Sequence, residues 1–336
     1  MRHRRHLVYL ALACSCIQGI PLPGAETRKL RVLTSFLPIY CFTANVAGDA
    51  ADVENLLPAN VEPHDYQFSR KDLQKVSQAD LIIINGLGLE RWLEKAVRNA
   101  AGARAKMVVE TASGLSSELI YWTPGPRAQP PQTDHAVAGA LRLVTPGAAN
   151  LHPNARASLP QGGVPNPHVW LDPRLACNAV TNILRALQQA DPSHALQFGI
   201  NARRYLDRLE KLDAVLAQAL SQVKGASIVT CHDAFPYFAR RYGLSIIGVI
   251  EPVPEVEPSL KYLAALYGSI RNNHAQAIFT EPPAPSRLAR QIGEDLHLPL
   301  AQLDTLESGP LNRTAYEEVM AANALMLVRQ LKAHAE

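Results

Sequence analysis

Four side chains that can bind a metal ion lie at or just beyond the ends of predicted β-strands. His64 follows the apolar run VENLL, and His232 directly follows SIVTC. Asp304 directly follows PLAQL, and His168 lies in a loop before a predicted helix. Ligands of open parallel sheets bind outside the carboxyl ends of the strands, so these side chains are candidates for one shared site. Three imidazoles and one carboxylate form a tetrahedral ligand set for a divalent ion such as zinc.

Sequence spacing alone leaves other roles open for each of these residues. The four candidates lie 104, 64 and 72 positions apart, and no local ligand motif joins them. The chain has 11 histidines, and any of them can be a loop cap, a hydrogen-bonded core residue or a surface residue. In the stiff loop VEPHDYQ, His64 could also be a turn residue or a proton shuttle, and Asp304 could cap a turn.

Short apolar runs alternate with amphipathic helical patterns along most of the chain. DLIIING is typical of a strand buried on both faces, and SRKDLQKVSQA predicts a helix with Ser69 as its N-cap. Alternating strands and helices predict a parallel sheet with helices on both faces. The pattern occurs twice, so we predict an α/β fold with two lobes, each a parallel sheet flanked by helices.

Two helical patterns lie between the predicted lobes. They begin at Asp172-Pro173 and Asp191-Pro192, where an acidic N-cap precedes a proline at the first helical position. The second pattern extends to about Val223, and at ~1.5 Å per residue it predicts a connector helix roughly 45 Å long. The predicted domains are therefore an N-terminal lobe (26–172, with a flexible loop at 123–167), a connector helical region (173–223) and a C-terminal lobe (224–336). The loop assignment depends on its high proline and glycine content.

The N-terminus has the features of an export signal. A cationic segment, MRHRRH, precedes an apolar run that is too short to span a bilayer, so we predict a signal peptide over residues 1–25. Export predicts a periplasmic protein, or a membrane-anchored lipoprotein if Cys14 or Cys16 is lipidated. The remaining cysteines, Cys41, Cys177 and Cys231, have no zinc or redox spacing, and we expect free thiols.

Bulk composition excludes some classes of partner. The formal net charge is only +3, and the Lys and Arg residues are scattered along the chain. Nucleic acid is therefore not an expected partner, and neither is an anionic membrane surface. No later stretch is long and apolar enough to predict a membrane-spanning helix.

Several sequence blocks together resemble a known family. They stand in order and at suitable intervals: TSFLPIYCFTANVAGD, LLPANVEPHDYQFSRKDLQKVSQADLIIINGLGLERWL, NPHVWLDP, CHDAFPYFARRYGL and QLDTLE. They are similar to the cluster A-I (cluster 9) metal-binding receptors of ABC transporters, the zinc and manganese uptake family, and most like its zinc-specific members. The similarity runs from about residue 30 to 333, apart from the segment 123–167.

The resemblance implies a binding protein rather than an enzyme. It implies two lobes joined by a long helix, one metal ion in the cleft between them, and the ligands His64, His168, His232 and Asp304. The partner would be a membrane ABC permease, and the receptor would be a monomer. Relatives that favour manganese commonly have a carboxylate where this chain has His232, so the histidine favours Zn²⁺ as the transported ligand.

Alternatives remain beside the zinc receptor. The first is a receptor for Mn²⁺ or Fe²⁺ in the same family, and the others are a metallohydrolase and a surface adhesin. Three acidic residues, Asp65, Asp233 and Glu281, are candidates for hydrogen bonds to the metal-binding histidines. Glu281 could equally have a structural role in a turn.

Overall fold

The protein contains two four-stranded parallel sheets with the same strand order. The computed structural model describes residues 28–64, 66–93, 97, 107–122, 163–252, 257–282 and 286–333. The first sheet has the order β2-β1-β3-β4 and the second the order β6-β5-β7-β8. The strands are β1 (Leu30–Thr34), β2 (Ala51–Asn55), β3 (Leu81–Ile84), β4 (Met107–Glu110), β5 (Ser227–Thr230), β6 (Ser245–Val249), β7 (Ala277–Thr280) and β8 (Leu300–Gln302). Every strand pair is parallel, which confirms the predicted α/β class with two lobes.

Helices cover these sheets and connect them. In the described residues they are α1 (Leu37–Ala47), α2 (Arg70–Gln78), α3 (Pro173–Ala190), α4 (Ala195–Leu220), α5 (Pro236–Tyr242), α6 (Leu260–Asn272), α7 (Arg287–Leu296) and α8 (Ala315–Lys332). Short 3₁₀ turns occupy Val169–Leu171, Pro192–His194 and Ser221–Val223. None of the described helices is both long enough and apolar enough to cross a bilayer.

Local sequence explains where α2 begins. The Ser69 hydroxyl accepts a hydrogen bond from the Asp72 backbone N–H, and the Asp72 carboxylate accepts one from the Ser69 backbone N–H. This reciprocal capping box satisfies two backbone donors that a helix start would leave unpaired. The predicted N-cap at Ser69 is confirmed. The inward face of the helix carries Asp72 and Val76, whereas Leu73 is exposed.

The connector consists of two packed helices. Asp172 caps α3 by accepting a hydrogen bond from the Arg174 backbone N–H, as predicted. The second helix is shorter than predicted, because 3₁₀ turns replace both of its ends, at Pro192–His194 and Ser221–Val223. With 26 residues, α4 is about 39 Å long. It packs against α1 of the N-terminal lobe and against α8 at the end of the chain, so it lies beside both lobes.

One apolar core continues from the first sheet into the second. It includes all four residues of β3, buried side chains of α4 and α8, and the aromatic Trp170 in the segment between the lobes. The Trp170 indole N–H donates to the Thr305 carbonyl, and the Tyr316 hydroxyl donates to the Trp170 carbonyl. This segment is therefore fixed against the C-terminal lobe. Cys41, Cys177 and Cys231 are free thiols.

The long proline-rich segment is anchored where it returns to the N-terminal lobe. Tyr121 and Pro165 form an antiparallel bridge, and the Trp122 N–H donates to the Val164 carbonyl over 2.9 Å. The described end of the predicted loop, residues 163–167, thus includes backbone that pairs with the segment that ends at Trp122. The rest of that loop and the predicted signal peptide lie outside the described residues.

Candidate metal centre

Three imidazoles and one carboxylate converge between the two lobes. One nitrogen from each of His64, His168 and His232 and one oxygen of Glu307 all lie within 4.8 Å of one another. The His168 Nε2 atom is 3.2 Å from His64 Nε2 and 3.3 Å from His232 Nε2. Glu307 Oε1 is 2.8 Å from His64 Nε2 and 3.2 Å from His168 Nε2. The ring nitrogens thus point toward a common centre.

His64 reaches this centre from the loop that follows β2. Pro58 and Pro63 restrict the backbone of this loop, and the Trp92 indole N–H donates to the Pro63 carbonyl over 2.8 Å. The side chain of His64 is 22% exposed, compared with 4% for His168. His64 is therefore on the solvent side of the centre, and His168 is on the protein side.

His168 lies at the start of the Val169–Leu171 turn and is fixed on two sides. Its Nδ1 atom is 2.8 Å from the side-chain oxygen of Asn166, and its ring packs against the Trp170 indole at a centroid distance of 5.1 Å. Burial disfavours the charged form and lowers the pKa of His168 to about 4. At neutral pH this imidazole is therefore uncharged, and it can donate an electron pair to a metal ion without first losing a proton.

His232 follows β5, in the C-terminal lobe. Its Nδ1 atom is 3.2 Å from Glu281 Oε1, and Glu281 itself follows β7, the neighbouring strand. Burial opposes the charged form of His232, but the hydrogen bond to Glu281 and the negative charge of Glu307 raise its pKa to about 9. Cys231, its chain neighbour, is buried and is not in the cluster.

Glu307 supplies the carboxylate, in the position for which the sequence predicted Asp304. The Glu307 side chain is 1% exposed, and the Thr305 hydroxyl donates to its Oε2 atom over 3.0 Å. Burial raises the pKa of Glu307, but the surrounding imidazoles of His168, His64 and His232 outweigh burial and hold this pKa well below its usual range. It is the anionic member of the cluster.

The sequence predicted Asp304 as the fourth ligand, but the structure does not place it among the four clustered side chains. Its Oδ1 atom accepts a hydrogen bond from the Leu306 backbone N–H over 2.7 Å. This bond turns the chain, and Leu306 adopts a left-handed conformation with φ of 63°. Glu307 then enters the cleft. The sequence does contain a sign of this alternative, because the block QLDTLE carries a second acidic residue, Glu307, three positions after Asp304.

The three predicted neighbours of the ligands differ in what they contact. Glu281 contacts His232, as described above. Asp233 is buried, and its backbone carbonyl and its Oδ2 atom lie 2.6 and 3.3 Å from the side-chain nitrogen of Asn166. Asp65 lies outside the described residues.

The donor set suits a small divalent cation. Three imidazole nitrogens and one carboxylate oxygen match the tetrahedral preference of zinc, whereas manganese favours more oxygen ligands. Four protein ligands fill a tetrahedral shell, so no position is left for a substrate or an activated water. The arrangement can hold an ion but provides no open coordination site for hydrolysis.

The chain is similar in sequence to known zinc-uptake and zinc-binding proteins. A family model described as zinc-uptake complex component A, periplasmic (ZnuA), matches residues 32–330. The chain is 31% identical over 279 residues to zinc-binding protein AdcA of Streptococcus pyogenes, which covers 83% of this chain and 51% of that protein. It is 28% identical over 298 residues to the high-affinity zinc uptake system protein ZnuA of Bacillus subtilis. This alignment covers 88% of this chain and 85% of the Bacillus protein. The chain thus spans about half the length of AdcA and most of the length of the Bacillus protein.

Solved structures show the same fold. Two structures of the binding protein FpvC from Pseudomonas aeruginosa, one with Ni²⁺ and one with Mn²⁺, superpose with a TM-score of 0.71 at 25% sequence identity. Each covers 91% of this chain, and the chain covers 98% and 99% of the two structures. The two-lobed architecture with a long central helix is therefore shared over nearly the whole length.

Proposed function

The chain belongs to the ZnuA family of zinc-uptake complex components, and on that premise we propose that it is an exported receptor that captures zinc and delivers it to a membrane ABC permease. The ion would be held by His64, His168, His232 and Glu307. The observation that carries this proposal is the convergence of three Nε2 atoms and one buried carboxylate from four separate segments of the chain.

The protonation states of the ligands support capture of a cation. His168 is neutral at neutral pH and presents its nitrogen without first losing a proton. Glu307 is ionised and compensates part of the charge of an incoming ion. His232 has a raised pKa, so the ion must displace a proton from it. Binding is therefore favoured by high pH and opposed by acid.

Zinc is the proposed cargo, and Mn²⁺ or Fe²⁺ is the second candidate. Nitrogen donors outnumber oxygen donors three to one, which favours zinc. The structures of FpvC with Ni²⁺ and Mn²⁺ are the reason to keep the second candidate. The metal content of the protein purified from its native compartment separates the two, because affinity alone favours zinc over Mn²⁺ and Fe²⁺ at sites of this kind. Zinc is the expected metal, and manganese or iron in its place would support the second candidate.

A zinc titration with a competing chelator tests the proposed site. The wild type should bind one ion per chain, and His64→Ala should weaken binding by about 100-fold or more, equivalent to about 2.7 kcal/mol. His274→Ala is the matched control, because His274 is an exposed histidine outside the cluster. Equal affinity in wild type and His64→Ala would contradict the proposal, as would a large loss in His274→Ala.

Export and delivery are the further parts of the proposal. Removal of residues 1–25 would give a periplasmic protein, and acylation at Cys14 or Cys16 would give a lipoprotein; the mass of the mature protein distinguishes these two outcomes. For delivery, cells that lack this chain should grow poorly when a chelator limits zinc. The wild-type chain should restore growth and Glu307→Ala should not. Full restoration by the variant would contradict delivery through this site.

A further inference from the structure

We infer that Asn166 is a positioning residue, which fixes the tautomer of His168 so that its Nε2 atom presents a lone pair to the metal. This inference deepens the proposed function and rests on it. Asn166 lies two residues before His168 and is 4% exposed, and its side chain makes hydrogen bonds at both ends.

Backbone groups fix which end of the amide is the oxygen. The side-chain nitrogen lies 2.6 Å from the Asp233 carbonyl oxygen, which can only accept a hydrogen bond. The side-chain oxygen lies 3.0 Å from the backbone N–H of His168, which can only donate. A flipped amide would place two donors together at one end and two acceptors together at the other. Only one orientation satisfies both contacts.

The fixed amide determines the proton on the His168 ring. Its oxygen is also 2.8 Å from His168 Nδ1, and an amide oxygen is only an acceptor. The Nδ1 atom must therefore carry the hydrogen, and in the neutral ring Nε2 then carries the lone pair. Nε2 is the atom that faces His64, His232 and Glu307.

Asn166 is itself held by both lobes. Its backbone N–H donates to the Ile120 carbonyl over 2.8 Å, and its carbonyl accepts a hydrogen bond from the Tyr237 hydroxyl over 2.8 Å. Ile120 belongs to the N-terminal lobe, whereas Tyr237 lies on α5 of the C-terminal lobe and is fully buried. The side-chain bond to Asp233 adds a second link, beside His232. Asn166 thus fixes the positions of His168 and His232 relative to each other.

Asn45 provides a matched control. Its side-chain nitrogen donates to the carbonyls of Cys41 and Arg313 over 2.8 and 2.7 Å, so it also links the first lobe to the C-terminal part of the chain. It is not one of the four clustered side chains, and the residues to which its nitrogen donates are not among them either. Asn45→Ala therefore removes an asparagine whose side chain also links two parts of the chain by hydrogen bonds, and it leaves the four clustered side chains in place.

The direct test is the tautomer of His168 in the zinc-free wild type, measured from long-range ¹H–¹⁵N couplings of the ring. The signals are assigned by their loss in His168→Asn. The Nδ1–H form is expected, and an Nε2–H form would overturn the inference without any variant of Asn166. This measurement does not depend on zinc binding. A wild type that binds no zinc would therefore contradict the proposed function and leave this test intact.

Variants of Asn166 test the consequence for binding. Asn166→Ala should lose the preference for Nδ1–H and weaken zinc binding by about 10- to 100-fold, the range for residues that orient a metal ligand. Asn166→Asp keeps an acceptor for Nδ1 but cannot donate to Asp233, so it should keep the tautomer and lose less affinity. Asn45→Ala should bind zinc like the wild type. Wild-type affinity and tautomer in Asn166→Ala would overturn the inference, and so would an equal loss of affinity in Asn45→Ala.

Discussion

The two lobes have the same strand order but differ in what their strands carry at the carboxyl ends. In the N-terminal lobe, β1 and β3 are followed by Ser35 and Asn85, which are neutral. In the C-terminal lobe, the corresponding strands β5 and β7 are followed by His232, one residue beyond Cys231, and by Glu281. Glu307 then follows β8. The positions after β1 and β3 are therefore neutral in the first lobe, whereas the corresponding positions in the second lobe carry titratable side chains.

Two buried carboxylates show the same contrast. Glu90, in the N-terminal lobe, accepts hydrogen bonds from neutral donors in the described part of the chain, the Ser35 hydroxyl and the backbone N–H groups of Asn85 and Gly86. Burial raises the pKa of Glu90 to about 7. Glu307 is just as buried, but imidazoles surround it and its pKa is lowered. The partners decide which carboxylate stays ionised.

The largest expected effect separates Glu307 from Asp304. Glu307→Gln should weaken zinc binding by about 100-fold or more, equivalent to about 2.7 kcal/mol, because it removes the carboxylate of the cluster that the described residues form. Asp304→Asn keeps the acceptor for the Leu306 N–H and should change the dissociation constant by less than about threefold, equivalent to about 0.65 kcal/mol. Competition titration measures both. The reverse order of effects would restore the ligand set predicted from the sequence.

A smaller effect is expected from Glu281, which is at the carboxyl end of β7. Glu281→Gln should weaken zinc binding roughly 10-fold, because an amide orients the His232 ring less strongly than a carboxylate. Glu90→Gln is the matched substitution in the other lobe and should leave zinc affinity unchanged. Equal losses in the two variants would mean that the contrast between the lobes has no bearing on the metal.

Proton release on binding tests the charge of His232. Its pKa of about 9 in the metal-free protein means that it is protonated at pH 7.5 and must lose a proton when zinc binds. His168, with a pKa of about 4, releases none. Calorimetry in buffers with different ionisation enthalpies should therefore show about one proton released through His232. Glu281→Gln should release fewer, and no release from the wild type would contradict this account.

The smallest effect concerns the stability of the N-terminal lobe. The folded-state pKa of Glu90, about 7, is above the unfolded value of about 4.3. The native state therefore binds this proton more tightly, and the contribution of Glu90 to stability decreases as the pH rises from about 4.3 to 7. Urea unfolding of the metal-free protein should show this decrease relative to Glu90→Gln. A constant difference between the two proteins over this range would contradict the raised pKa.

Much of the fold and three of the four clustered residues were predictable from the sequence. Alternating strand and helix patterns gave both sheets, and the rule for strand ends identified His64 and His232. The ends of α4 were not predictable to within a turn, because Pro192–His194 and Ser221–Val223 continue the helical pattern as 3₁₀ turns. Local propensity does not distinguish these two conformations well.

The fourth residue was missed for a local reason. The first acid after β8, Asp304, caps a turn, and the left-handed conformation of Leu306 directs the next acid into the cleft. Asn166 was missed because its role depends on contacts with Asp233 and Tyr237, which are far from it in the sequence. The spacing of residue types along the chain reveals neither the turn at Asp304 nor the long-range contacts of Asn166.

Anomalous diffraction at the zinc edge, from crystals of the zinc-loaded protein, would locate the ion and its ligands. We expect a single ion between the lobes, bound by Nε2 of His64, His168 and His232 and by the Glu307 carboxylate. The metal–ligand distances should be about 2.0–2.2 Å. An ion bound to Asp304 instead of Glu307, or an ion held outside the three imidazoles, would contradict this expectation.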